Sequence, residues 1–224
     1  MKDIVYVDEQ REEAKKVIRA ACLSKQFDQN QIVGLQPATS IEETIELILT
    51  NNCKALITDY RLDEFAPDVC FNGADLIREW QQRFDCFPCF VVTAFSGQAT
   101  NEHLDPNIIF SKSDLSGDDL MSENESNLPF FLRVRKKIDW YENLVSDMQQ
   151  ELRQLASKEE PLSPQEVEKM IEYDHKLEKM LWAKSTITRE QKRASLKEFP
   201  DLLNSVSELI ADIKKGLEGG EQSK

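Results

Sequence analysis

The stretch ALITDYRL, residues 55–62, decides the fold. A short apolar run stops on a carboxylate, Asp59, and is followed by Tyr60 and Arg61. Such a run reads as a buried strand. A buried strand that ends on a charge needs a reason for the charge. Asp59 can cap the following turn, bind a metal or react.

The segments on either side repeat the pattern. DIVYVD (3–8) reads as a strand, followed by a helix that gathers Ala14, Val17, Ile18, Ala21 and Cys22 on one side. QIVGL (31–35) is a second strand, and Thr39-Ser40 caps a helix with Ile41, Thr44, Ile45 and Ile48 at helical spacing. After ALITD as the third strand come the helix GADLIREWQQRF, the strand CFVVTAF, a short segment around Gln98–Leu104 and a fifth strand, NIIFSK. Strands alternating with helices build right-handed βαβ units and a parallel sheet covered on both faces. The expected fold is a flavodoxin-like, doubly wound, five-stranded parallel sheet over residues 1–120, followed by an acidic linker at 121–129.

From residue 130 to 224 a helical bundle or coiled-coil extension is expected. Val134, Ile138, Tyr141, Val145, Met148, Leu152 and Leu155 are spaced 4,3,4,3,4,3, a heptad seam. After a break at KEEPLSPQE, Ser163 and Glu166 form a capping box with Pro164 at the first helical position. That helix carries Val167, Met170, Ile171, Leu177 and Leu181. Thr188 with Gln191 resembles another capping box, and a last stripe runs from Phe199 through Leu203, Val206, Ile210 and Ile213 to Leu217 before Gly219-Gly220. No single helix buries such a stripe alone, so closure within the chain or across a homodimer is expected.

Composition narrows the functions. The chain has 224 residues, a net charge of −13 and a pI near 4.7. A basic face is what phosphate backbones and anionic membrane surfaces require, so nucleic-acid and membrane partners are disfavoured. No apolar run approaches the roughly 20 residues of a membrane span. MKDIVYVDEQ carries acids within its apolar run and does not read as a signal peptide. Five cysteines, an odd number, point to reduced thiols in a cytoplasm.

In an open parallel sheet, ligands bind beyond the carboxyl ends of the strands. Here those ends carry Asp8-Glu9, Asp59, Thr93 and Lys112. Clustered carboxylates raise one another's pKa unless a cation joins them. A hard divalent ion with oxygen ligands resolves the conflict, and Mg²⁺ suits a few carboxylates and retained waters. One carboxylate could then attack a phosphoryl group while the hydroxyl and the ammonium neutralise its oxygens. Each residue alone would more simply be a strand-end cap.

On these residues, the N-terminal half resembles the receiver domain of two-component response regulators. Asp8-Glu9 in VDEQ match the family's acidic pair, and Asp59 in LITDYRL matches its phosphoacceptor. Thr93 in VVTAF matches the switch hydroxyl, and Lys112 in IIFSKSDL the lysine. The resemblance implies phosphoryl transfer to Asp59 from a histidine kinase or phosphotransfer protein, with Mg²⁺ held by Asp8, Glu9, Asp59 and the Arg61 carbonyl. Leu62-Asp63 stand where the family has Met-Pro, and Gly73 lies fourteen residues after Asp59, so DEFAPDVCFN (63–72) is an insertion beside the site. The stretch between Thr93 and Lys112 is short, Ser113 replaces a proline, and the aromatic switch position is Ile109 with Phe110 in the opposite pleat register.

Other residues carry weaker signals. CFPC (86–89) lacks a second pair for zinc and reads as buried thiols at a strand entrance. His175 in IEYDHKLEKML is similar to a kinase histidine box, but no downstream proline follows and it reads as a solvated helix histidine. His103 gives no signal, and Trp80, Trp140 and Trp182 read as packing residues.

The expected function is a phosphorylatable regulator, not an enzyme, whose output is dimerisation or binding of a helical partner rather than DNA binding. Two alternatives remain at this level. One is a phosphate sink in a stress or phage-defence phosphorelay, and the other a phosphorylation-independent pseudo-receiver scaffold. A small-molecule phosphatase would need an acid two residues after Asp59, where Arg61 stands.

Overall fold

The computed structural model of the protein describes residues 2–94, 104–115, 128–158 and 160–181. Five parallel strands form one sheet in the order β2-β1-β3-β4-β5: β1 Lys2–Val7, β2 Ile32–Leu35, β3 Cys53–Asp59, β4 Cys89–Thr93 and β5 Ile109–Ser111. This is the flavodoxin-like doubly wound order, which reverses direction between β1 and β3. The helices are α1 Arg11–Leu23, α2 Ile41–Thr50, α3 Gly73–Arg83, α4 Phe130–Ala156 and α5 Pro164–Met180. Val7 pairs with Thr58, Asp59 with Val92 and Thr93 with Ser111, so the residues that end each strand line up along one rim.

Strand alternation feeds two cores. Val5, Val7, Leu56 and Val91 face Ile45 and Ile48 of α2 and Leu76, Ile77 and Trp80 of α3. Ile4, Tyr6, Ala55, Ile57, Phe90 and Val92 face Ala14, Val17 and Ala21 of α1. That second face is completed by Phe130, Phe131, Val134 and Ile138 from the start of α4. Phe110 joins them, its ring 4.9 Å from Phe130 and 6.0 Å from Phe90, while Ile109 packs on the opposite core. The pleat register read from the sequence therefore holds.

The helix starts follow local chemistry. The Ser40 hydroxyl accepts from the Glu43 N–H, and Asn72 and Asp75 form a reciprocal capping box at the head of α3. Ser163 and Glu166 do the same before α5, which opens at Pro164 as expected.

The chain divides into two compact units, Met1–Asp147 with Met180–Trp182, and Met148–Lys179 with Ala183–Lys224. The first unit thus runs past residue 130 into α4. The reason is physical: α1 covers only part of its face of the sheet, and the aromatic start of α4 covers the rest. The heptad seam is divided accordingly. Val134 and Ile138 are fully buried on the sheet, and Tyr141 packs on Phe87 and donates its hydroxyl to the Met180 carbonyl at 2.6 Å. In the second unit, Met148, Leu155, Ile171 and Leu177 are buried, and ion pairs Glu151–Lys169 and Lys158–Glu166 join α4 to α5. Val145 and Leu152, the other residues of the seam, are partly buried. Leu181, expected on the α5 stripe, lies just past the helix end and is exposed. The last stripe, the Thr188–Gln191 box and Trp182 lie outside the described residues.

Candidate functional site

At the carboxyl ends of β1 and β3, Asp8, Glu9 and Asp59 each bring a carboxylate oxygen within 4.8 Å of the others. All three side chains are buried, Asp59 at 6 % exposure. Lys112 joins them from the 3-10 turn that follows β5, with Nζ 3.1 Å from Asp59 Oδ1 and 3.6 Å from Asp8 Oδ2. Thr93 is buried at the end of β4, level with Ser111. The structure thus brings Asp8, Glu9, Asp59 and Lys112 together. Arg61 follows on the same loop, its guanidinium 3.3 Å from Glu64.

The electrostatics follow from crowding. Burial, with the charge on Asp8, pushes Asp59 up to about 6, although Lys112 and the Tyr60 N–H pull the other way. Burial likewise raises Glu9 above the usual carboxylate range, against hydrogen bonds from its own backbone and Gln10. Burial by itself would lower the Lys112 ammonium, but the Asp59 and Asp8 carboxylates outweigh it and raise its pKa. Each shift has the sign expected of a site short of positive charge.

The three carboxylates differ in how far the protein satisfies them. Asp8 Oδ1 accepts from the Gln10 N–H at 2.8 Å, and Asp8 Oδ2 from the Tyr6 hydroxyl at 2.7 Å. Glu9 Oε1 accepts from Gln10 Nε2, but Glu9 Oε2 is buried without a hydrogen-bond partner. A buried carboxylate oxygen is costly unless something meets it. An all-oxygen donor set with one oxygen orphaned fits a hard divalent cation. Tyr6 escaped the sequence analysis, although its place two residues before Asp8 on one strand face was the available signal.

The insertion does not move Asp59 away from α3. Leu62, Val69 and Phe71 are buried in the α2–α3 core, leaving Phe65 exposed. The chain returns so closely that the Gly73 N–H donates to the Tyr60 carbonyl at 2.8 Å. A Cβ on Gly73 would stand 2.0 Å from the Asp59 carbonyl oxygen. Thr58 donates its hydroxyl to that same oxygen at 2.9 Å.

The remaining candidates stay apart from this chemistry. Cys86 and Cys89 are both free thiols, but only Cys89 is buried as expected, and burial pushes its pKa up to about 11, far from a thiolate; Cys86, at the turn before β4, is exposed. His175 belongs to the second unit and is not the solvated histidine expected: its side chain is only 21 % exposed and its Nδ1 is buried, 4.0 Å from Glu178 one turn along α5. Trp80 is a packing residue stacked on Phe84, whereas Trp140 is exposed beneath the Lys137 ammonium. His103 and residues 121–127 of the expected acidic linker lie outside the described residues. Among the described residues no helix is long and apolar enough to cross a membrane.

No family model matches the sequence, and no curated protein matches it. Among solved structures, a response regulator receiver domain protein from Clostridium thermocellum is similar at 14 % identity and a TM-score of 0.42, covering 64 % of this chain and 99 % of its own. The anti-anti-sigma factor PhyR from Bartonella quintana is similar at 15 % identity and a TM-score of 0.41, over 65 % of this chain and half of PhyR's length.

Proposed function

We propose that the first unit is a phosphoacceptor switch in which Asp59 takes a phosphoryl group from a phosphohistidine donor, a histidine kinase or phosphotransfer protein. The observation that carries this reading is Asp59 at the end of β3, beside the sheet's switch point, in reach of Asp8, Glu9 and the Lys112 ammonium. A Mg²⁺ ion held by Asp8, Glu9, Asp59 and the Arg61 carbonyl would supply positive charge against the phosphoryl oxygens. Asp59 attacks phosphorus through a carboxylate oxygen as the bond from phosphorus to the donor nitrogen breaks. Lys112 and the Thr93 hydroxyl then hold the new acyl phosphate. The raised Asp59 pKa describes the cluster before a cation balances it.

In this reading the protein is a signalling component and not an enzyme with a small-molecule substrate. Its output is protein contact. Phe110 is packed among Phe90 and Phe130, so signal leaves by a route other than a rotating aromatic at position 109. A phosphate sink shares the same acceptor chemistry and differs only in having no partner to address.

The test is beryllofluoride with Mg²⁺, followed by fluorine NMR on wild type and Asp59→Asn. A bound resonance lost in the variant supports the reading, and no bound resonance in wild type overturns it. A second reading, a phosphorylation-independent scaffold, is favoured by the burial of all three acids. It expects no adduct with any donor.

A further inference from the structure

We infer that Tyr6 positions Asp8 in the acidic cluster, so that divalent-cation affinity depends on the Tyr6 hydroxyl. The inference rests on the cation-site reading above. Tyr6 and Asp8 are two apart on β1, and alternation sends both side chains to one face. The Tyr6 ring is fully buried in the core beneath α1 and α4, and its hydroxyl donates to Asp8 Oδ2 at 2.7 Å. Asp8 Oδ1 is held from the other side by the Gln10 N–H at 2.8 Å. The carboxylate is gripped at both oxygens.

Core filling does not call for this hydroxyl. Val5 and Val7, its neighbours on β1, are fully buried apolar residues, and an apolar side chain at position 6 would also face the α1 core. What the tyrosine adds is a neutral donor beneath a carboxylate that has two other acids within 4.8 Å. Left free, Asp8 would turn from its neighbours, because like charges repel. Held by Tyr6 and Gln10, it stays aimed into the cluster at no cost when a cation arrives. Glu9, whose Oε2 has no donor, and Asp59 then meet the ion against a fixed third carboxylate. Hydrogen bonds of this outer kind are worth about 10- to 100-fold in metal affinity.

The test is calorimetric titration of the full chain with Mg²⁺ at neutral pH. Tyr6→Phe keeps the ring and is expected to weaken binding about tenfold. In an Asp8→Asn background the same change is expected to do nothing further, since the hydroxyl would have lost the charge it positions. Equal affinity in wild type and Tyr6→Phe overturns the inference and leaves the cation site standing. An equal loss in the Asp8→Asn background also overturns it, because the effect would then run through packing. A wild-type chain that binds no Mg²⁺ overturns both. Independently of any variant, the ¹³Cζ resonance of Tyr6 in labelled wild type is expected to shift on Mg²⁺ saturation. An unmoved resonance counts against the role.

Discussion

Gly73 lies directly against the backbone of Asp59: a Cβ at that position would stand 2.0 Å from the Asp59 carbonyl oxygen and 3.0 Å from Thr58 Cγ2. The head of α3 is thereby seated under the end of β3 despite the ten-residue insertion DEFAPDVCFN between Leu62 and Gly73. Gly73→Ala forces either α3 or the end of β3 to move. The expected outcome is a loss of about 1–3 kcal/mol in denaturant unfolding, together with slower acquisition of a phosphoryl group from acetyl phosphate. Ala74→Gly, one residue on, serves as the control for helix propensity.

Asp59 also sets a pH dependence. Its folded-state pKa is raised to about 6 by burial and by Asp8, above the ordinary value of 3.8. The unfolded chain therefore releases this proton first. The contribution to stability is fully present below about pH 4 and is lost as pH rises through about 6. In Mg²⁺-free buffer, wild type is expected to lose about 2–3 kcal/mol over that range from this group, and Asp59→Asn to lack that slope. Saturating Mg²⁺, held by the folded chain alone, is expected to restore stability above pH 6. Parallel pH–stability curves for the two proteins would contradict this.

The Lys112 ammonium, 3.1 Å from Asp59 Oδ1, is the main group holding the Asp59 pKa down. Lys112→Met removes it. The Asp59 pKa is then expected to rise further, read from the carboxyl ¹³C shift against pH in Mg²⁺-free buffer. Beryllofluoride binding is expected to fall by an order of magnitude or more, since a charge-assisted contact to the phosphoryl oxygens is gone.

The start of α4 belongs to the sheet. Phe130, Phe131, Val134 and Ile138 are buried against β1, β3 and β4 residues in one core. Phe130→Ala is expected to cost about 3–5 kcal/mol, measured by urea unfolding. A fragment ending at residue 120 is expected to show no cooperative transition, because half of one sheet face would be open to water. Cooperative unfolding of that fragment would place the first unit's boundary before Phe130.

The parts of the fold that were legible in the sequence are those written in local chemistry. Buried parallel strands are continuous apolar runs, so β1, β3 and β4 announce themselves, and Ser40 and Ser163 cap their helices by nearest-neighbour hydrogen bonds. The residues Asp8, Glu9, Asp59 and Lys112 were legible because a parallel sheet puts strand ends on one rim. What local pattern could not reveal was who covers whom. The heptad from Val134 looks the same whether its partner is a second helix or a sheet, and Phe110, Phe90 and Phe130 had to be seen together to choose. The Tyr6–Asp8 contact escaped for a similar reason, since a tyrosine in an apolar strand carries no mark of what its hydroxyl meets. Gly73 lies fourteen residues after Asp59 in the sequence and yet against its carbonyl in space, because sequence distance hides a loop that returns to its start.

The acceptor role of Asp59 is tested most directly by covalent mapping. The full chain is incubated with acetyl phosphate and Mg²⁺, the acyl phosphate is trapped by borohydride reduction, and the modified residue is located by peptide mass spectrometry. Asp59 as the reduced residue, with no modification in Asp59→Asn or when the cation is chelated, is the expected result. A chain left unmodified, or one modified equally in the Asp59→Asn variant, would contradict it.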